Sequence, residues 1–502
     1  KEKEKEVILP VQEKGSQTSH ILLVSVKTNN KNMRGFLMDR YNELIFDLKS
    51  KVPVGESFDL LERKLNIGGR DGTMFFADCL VNGSMMQRVI FSLFSLKKAQ
   101  VDKADSAEDF IKYNLPFLDC LVVYDMDIAV RHLYSGLVLL FISGYEGIII
   151  IDCRSYPLRS VGEPSKEKTL RGAKDGFVES MMTNIALIRR RIRDNHLIFK
   201  IYSVGDVSKS DVSMVYMKGS ADPKMVEKLD ESLKNIKVKG LTVTEQTLVE
   251  SLSGKKLSRC NPFPKVRYTQ RPDVVSAHVE EGKIAVIVDN SPTAILLPAG
   301  IFDFFQDIDD YYFPVLTGNY LRFLRIANIF VILFATPVYL LFAEGDIPVH
   351  EGLKFFISEE DFAISIFWQF ILLEIAIDGL KLASLNTPES LGMSLSVIGA
   401  LILGEFSISS GWFIPQTILC MAVVALASFT QPSIELGFGI KFVRVLMLIS
   451  AHVIGWAGVL IAFVISMAVM AATRTIVGTS YLYPMIPWDW GKLKKLIFRT
   501  KK

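Results

Sequence analysis

Four charged residues sit where the surrounding chain is apolar. Glu374, Asp378 and Lys381 are spaced i, i+4, i+7, and Glu405 lies late in the stretch Leu391–Gly411. A charge in such surroundings is costly and normally faces protein or water. At helical spacing Glu405 shares a face with Ser394, Val397, Ile398, Leu401 and Ile402. Repeated around an axis, that face would give a polar mouth, an apolar constriction and a ring of carboxylates. Such rings favour cations, and apolar constrictions gate by dewetting. The competing reading puts Glu405 at a membrane edge, hydrogen-bonded to a neighbouring helix. Glu374, Asp378 and Lys381 read either as an ion pair within one helix or as part of an ion path.

Conventional catalytic patterns are missing from the sequence. Ser253-Gly254-Lys255-Lys256 lacks the upstream glycine and the hydroxyl residue of a phosphate loop. The six histidines are scattered and no nucleophile–base set stands out, so no enzyme, cofactor or metal site is expected. The five cysteines form no CxxC pair and read as reduced structural thiols. Arg189, Arg190 and Arg191 close a helical pattern. They read as a solvated C-terminus or as an assembly surface meeting a neighbour's acids or anionic lipid. Without interleaved aromatics they do not suggest nucleic acid.

The elements that position these residues divide the 502-residue chain in two. Val445–Thr473 holds 29 residues without Lys, Arg, Asp or Glu, and Trp412–Thr430 holds 19. Runs of this kind suit a bilayer core. Residues 326–473 carry eleven acidic and four basic side chains, a net of −7, so the rest of this +3 chain is +10. A basic remainder fits cytoplasmic material beside anionic lipid. The first 30 residues are polar and show no signal peptide.

The fold expected is an α/β cytosolic region of two small subdomains, followed by an all-α polytopic membrane domain of about four to six helices. Residues 1–56 read as a flexible segment containing a short helix at Phe36–Leu48. Residues 57–160 read as the first α/β subdomain, with strands at Thr73–Leu80, Leu118–Val123, Leu137–Ile142 and Gly147–Asp152 and a helix at Ser84–Leu96. Residues 161–260 read as the second, with helices at Asp175–Arg193 and Pro223–Lys234, a strand at Met214–Lys218 and polar loop from 240. Residues 261–321 read as a juxtamembrane linker, extended over Asn261–Asp273 and closing on a hairpin of Ile284–Val288 with Thr293–Leu297. Residues 322–473 form the membrane domain and 474–502 a basic tail. Spans are expected at Ile326–Ala343, Phe362–Leu385, Leu391–Gly411, Trp412–Thr430 and Lys441–Thr473. Five spans would leave the basic tail outside, against the positive-inside rule. Either Phe362–Leu385 is interfacial or re-entrant, or Lys441–Thr473 folds as a hairpin at Gly455/Gly458.

Two long blocks carry a family resemblance. EPSKEKTLRGAKDGFVESMMTNIALIRRRIRD (Glu163–Asp194) and NPFPKVRYTQRPDV (Asn261–Val274) resemble the signature blocks of the GerA-type spore germination A-subunit family. LSVIGALILGEFSISSGWF (Leu395–Phe413) and ASFTQPSIELG (Ala427–Gly437) resemble its membrane segments. Glu405 and the ending SYLYPMIPWD (Ser480–Asp489) look most similar to its SpoVAF branch. The resemblance covers about residues 57–490. It implies a multi-pass protein of the bacterial spore inner membrane with its N-terminal domain in the spore core. It further implies a homo-oligomer, a pentamer, that passes monovalent cations and works with other germination membrane proteins. On that basis Ser394, Val397, Leu401 and Glu405 are pore-lining candidates. Arg189, Arg190, Arg191, Arg267 and Arg271, in the signature blocks, are candidates for assembly or gating. The alternative implied function is a nutrient-receptor A subunit, a scaffold for B and C subunits.

Overall fold

The structure is a computed structural model. It describes residues 5–11, 22–28, 30–115, 119–156, 172–253, 261–307, 309–348, 351, 363–386, 399 and 401–498. The chain forms two compact units. The first comprises Lys1–Lys166, Asp175–Glu245 and Thr269–Ala294; the second comprises Glu167–Lys174, Gln246–Tyr268 and Ile295–Lys502.

The first unit contains antiparallel sheets covered by helices. One sheet runs in the order Leu60–Ile67, Arg70–Ala77, Val138–Ile142, Ile148–Ile151, Cys120–Val123. Its central strands are buried along their whole length, which is why they read as unbroken β-branched and apolar runs. Leu60–Ile67 (LLERKLNI) is an edge strand with alternating exposure and three charges, and the apolar pattern passes over it. In the other sheet Leu197–Val204, Ser210–Met217 and Ile284–Val288 lie side by side. The N-terminal segment, expected to be flexible, contains a Lys5–Val11/Leu22–Thr28 strand pair and a helix over Asn30–Lys51. Burial pushes the Cys79 thiol well above its usual range and raises Cys120 and Cys153 to about 11. These thiols stay protonated and unreactive at neutral pH.

One ion pair sits at the centre of this unit. Arg189 and Asp59 are both fully buried. Arg189 Nε and Nη2 donate to the two Asp59 oxygens at 2.9 and 3.1 Å, and Nη2 also reaches the Leu197 carbonyl at 3.0 Å. Ser57 Oγ donates to Asp59 at 2.6 Å and accepts from the Phe199 amide at 3.0 Å. The guanidinium lies against the Tyr134 and Phe199 rings. Burial works against its charge, but the Asp59 carboxylate more than compensates and holds its proton above the usual value.

The second unit is mainly helical. Thr244–Ser253 is a helix where the sequence suggests loop. The Val315–Ala343 helix begins eleven residues before the expected Ile326. Arg322 and Arg325 break the uncharged run, but both close onto buried Asp310: Arg322 Nε at 3.1 Å and Arg325 Nη1 at 2.8 Å. Ile366–Asn386, Pro415–Phe429, Ile434–Ile454 and Trp456–Ala472 follow. Val315–Ala343 and Ile434–Ile454 are long and apolar enough to cross a membrane, and two further apolar helices are shorter. The expected Lys441–Thr473 span is two helices that pack on each other, broken at Gly455. Gly455 has φ +70°, which favours glycine. A Cβ at Gly458 would collide with the Ser450 carbonyl.

Gly458→Ala should therefore lose at least about 1–3 kcal/mol. Gly437→Ala, with open space around its Cβ, should not destabilise; thermal unfolding in detergent compares them. In the first unit Asp59→Ala should cost about 3–5 kcal/mol, because it strands a buried guanidinium. The Asp59→Ala/Arg189→Met double variant should lose much less than the sum of its singles in denaturant titration.

Candidate functional site

Acids and bases within the apolar helices meet across two elements. Ile366–Asn386 supplies Glu374 and Asp378, one turn apart; Ile434–Ile454 supplies Lys441 and Arg444, also one turn apart. Lys441 Nζ binds the Asp378 carboxylate and lies 3.4 Å from Glu374 Oε2. Arg444 Nη2 lies 2.5 Å from Glu374 Oε1, and its Nη1 donates to the Ile332 carbonyl at 3.3 Å. Glu374 and Arg444 are buried. Two carboxylates and two cations thus tie three helices together with no net charge. The expected pairing of these acids with Lys381 is not the one formed. Lys381 instead lies over the Phe429 ring at 5.2 Å.

Other polar groups join these helices to one another and to Pro415–Phe429. Gln369 is fully buried and accepts from the Ile414 amide and the Thr417 hydroxyl at 3.1 and 2.8 Å. It thereby satisfies a free donor at the start of Pro415–Phe429. His452 Nδ1 lies 2.8 Å from Glu344 Oε1, with Phe367 stacked on the imidazole.

Glu405 is different. It lies on the π-helical turn Leu401–Phe406 rather than on a regular α-helix, and it is exposed. Among the described residues it has no hydrogen-bond or ion-pair partner. Such turns occur frequently at functional positions. Of the residues expected beside it, Ser394 and Val397 lie outside the described residues, as does the Leu401 side chain.

The five candidate arginines separate. Arg189 and Arg271 are 0% and 1% exposed. Arg189 is committed to Asp59, and Arg271 binds Asp273 at 3.1 and 2.7 Å. Neither can face a neighbouring protomer or lipid, because each guanidinium is enclosed by its own chain. Arg267 donates to the Asp303 and Gln306 carbonyls, and Arg191 binds Asp175 at 2.6 Å. Arg190 is exposed, over the Tyr156 ring at 4.9 Å. The sequence reading missed Lys441 and Arg444 as partners. Their i, i+3 spacing, matching the i, i+4 spacing of Glu374 and Asp378, was the available signal.

The Bacillus/Clostridium GerA spore germination protein model matches residues 48–502. The chain belongs to this family. Stage V sporulation protein AF of Bacillus subtilis (strain 168) is 34% identical over 454 residues, 90% of this chain and 91% of that protein. Spore germination protein KA of the same strain is 26% identical over 459 residues, 90% and 83% of the two chains. Spore germination protein A1 is 28% identical over 416 residues, 81% and 85%. These matches bear out the resemblance carried by the two signature blocks. The crystal structure of the N-terminal domain of the A subunit of the Bacillus megaterium spore germinant receptor GerK3 aligns at 25% identity with a TM-score of 0.37. That alignment covers 51% of this chain and 93% of that one.

In this GerA-family chain, Glu374→Ala leaves Arg444 and Lys441 short of a counter-charge. It should cost about 3–5 kcal/mol, while Glu374→Ala/Arg444→Met should recover a large part. Unfolding of the detergent-solubilised protein measures both.

Proposed function

We propose that this chain is a multi-pass protein of the spore inner membrane and the conducting subunit of a homo-oligomer, a pentamer, that releases monovalent cations during germination. The observation that carries this reading is Glu405. It is an exposed carboxylate on a π-helical turn, without a partner among the described residues, whereas the buried acids Glu374 and Asp310 are matched by arginines. An unmatched carboxylate in an apolar layer needs water beside it, as a pore lining provides. Only 33% and 39% of the apolar windows of Val315–Ala343 and Ile434–Ile454 are buried within the chain. The outward faces carry Phe330, Leu426, Phe442 and Val464, a surface that suits lipid. No catalytic role is part of this reading.

A scaffold reading has one support, the sequence likeness to spore germination proteins KA and A1. The test is cation efflux from liposomes containing the purified chain. Glu405→Gln should remove most of the cation flux and the preference over chloride, while leaving oligomer size unchanged. If the wild-type chain conducts nothing and Glu405→Ala spores germinate normally, the pore reading falls and the scaffold reading replaces it.

A further inference from the structure

Beyond Trp456–Ala472 lies Trp490–Ile497, an eight-residue helix with the sequence WGKLKKLI. It is not a loose tail. The preceding segment is fixed by Tyr481, which is fully buried, has its ring 6.2 Å from Phe263, and accepts from the Ile301 amide at 3.0 Å. Leu493 is buried, and the helix packs beside Val315–Ala343. The opposite side is open. Trp488 and Trp490 are 63% and 60% exposed, stacked on each other 5.9 Å apart, and Phe498 is exposed as well.

The adjoining helix repeats the pattern. Leu316, Tyr320 and Phe323, spaced i, i+4, i+7 on its first turns, are all exposed. Three large side chains on one helix and three at the C-terminus give one unit an aromatic-rich apolar surface, which soluble surfaces rarely leave uncovered. Charge identifies its cover. Residues 480–502 hold six basic residues and one acid, Asp489, and Lys494 is exposed. Tryptophan and tyrosine beside lysine are the side chains of the headgroup layer, where a ring has one apolar and one wet side.

We propose that the Trp490–Ile497 helix and the first turns of Val315–Ala343 form a docking surface for an anionic bilayer face, with the tryptophan pair at headgroup depth. This inference rests on the membrane reading above and adds a lipid preference to it. The surface fixes one end of Val315–Ala343, the helix that also holds Arg322, Arg325 and the carbonyl bound by Arg444.

The test uses the full chain with Trp368, Trp412 and Trp456 replaced by Phe, leaving Trp488 and Trp490 as reporters. It is reconstituted in phosphatidylcholine vesicles with or without phosphatidylglycerol at about 30%, using lipids brominated near the glycerol. Strong quenching is expected with phosphatidylglycerol, weakened by high salt. Lys494→Gln/Lys495→Gln should lower the docking constant roughly 25-fold, about fivefold per lysine. Trypsin digestion of the unaltered chain supplies a second readout: cleavage after Lys494 and Lys495 should be slow with phosphatidylglycerol and fast without. Unquenched tryptophans that acrylamide reaches would overturn the proposal. So would tryptophans shielded from both quenchers, which means a protein covers them. Quenching indifferent to phosphatidylglycerol and salt removes the anionic preference and sinks the proposal too. Cation flux with unquenched tryptophans defeats this surface alone; quenching with absent flux defeats the channel alone.

Discussion

A charge removed from water loses several kcal/mol of hydration, and only an opposite charge with well-placed hydrogen bonds restores most of it. The architecture of this chain follows that constraint. Arg189 enters the first unit with Asp59, and Ser57 and the Leu197 carbonyl complete the set. Asp310 takes Arg322 and Arg325 at the start of the long helix. Glu374 and Asp378 take Lys441 and Arg444 deeper in. In each case the partners come from different elements, so matching the charge also fixes how those elements pack. Exposed Glu405 stands outside this rule, and that makes it the natural candidate for contact with water or ions.

The same constraint explains what could be read from the residues. Strands buried on both faces, Val138–Ile142 and Ile148–Ile151, announce themselves because burial demands unbroken apolar runs. Edge strand Leu60–Ile67 did not, since half its side chains meet solvent and three charged residues interrupt the apolar pattern. Pro272 suggested extended chain, yet it occupies the first turn of the Pro272–Glu280 helix, where its missing N–H costs nothing. The Val315–Ala343 helix starts upstream of the uncharged run that begins at Ile326, in a stretch that holds Arg322 and Arg325. They belong inside the helix once Asp310, twelve residues upstream of Arg322, neutralises them.

Glu374 and Asp378 were recognisable as costly residues, but their partners were not. Lys441 is 63 residues from Asp378 and Arg444 is 70 from Glu374. Local spacing favoured Lys381, three residues away. Packing decided otherwise, because Ile434–Ile454 delivers two cations on one face and Lys381 turns to the Phe429 ring. Likewise Arg189, Arg190 and Arg191 form one basic cluster in the sequence but face interior, solvent and Asp175 in the fold.

The break at Gly455 also bears on how the protein is made. The helices Ile434–Ile454 and Trp456–Ala472 are joined by a single residue, and Gly458 lets their backbones touch at the bend. With no polar loop between them, neither arm has a stretch of chain that could wait in water while the other leaves it. Entering lipid separately would also expose the backbone groups freed at the bend, whereas entering together lets the arms shield each other. On the membrane reading proposed above, partition of the segment 434–472 from ribosome to bilayer is thus a single event, begun only when the second arm has been synthesised.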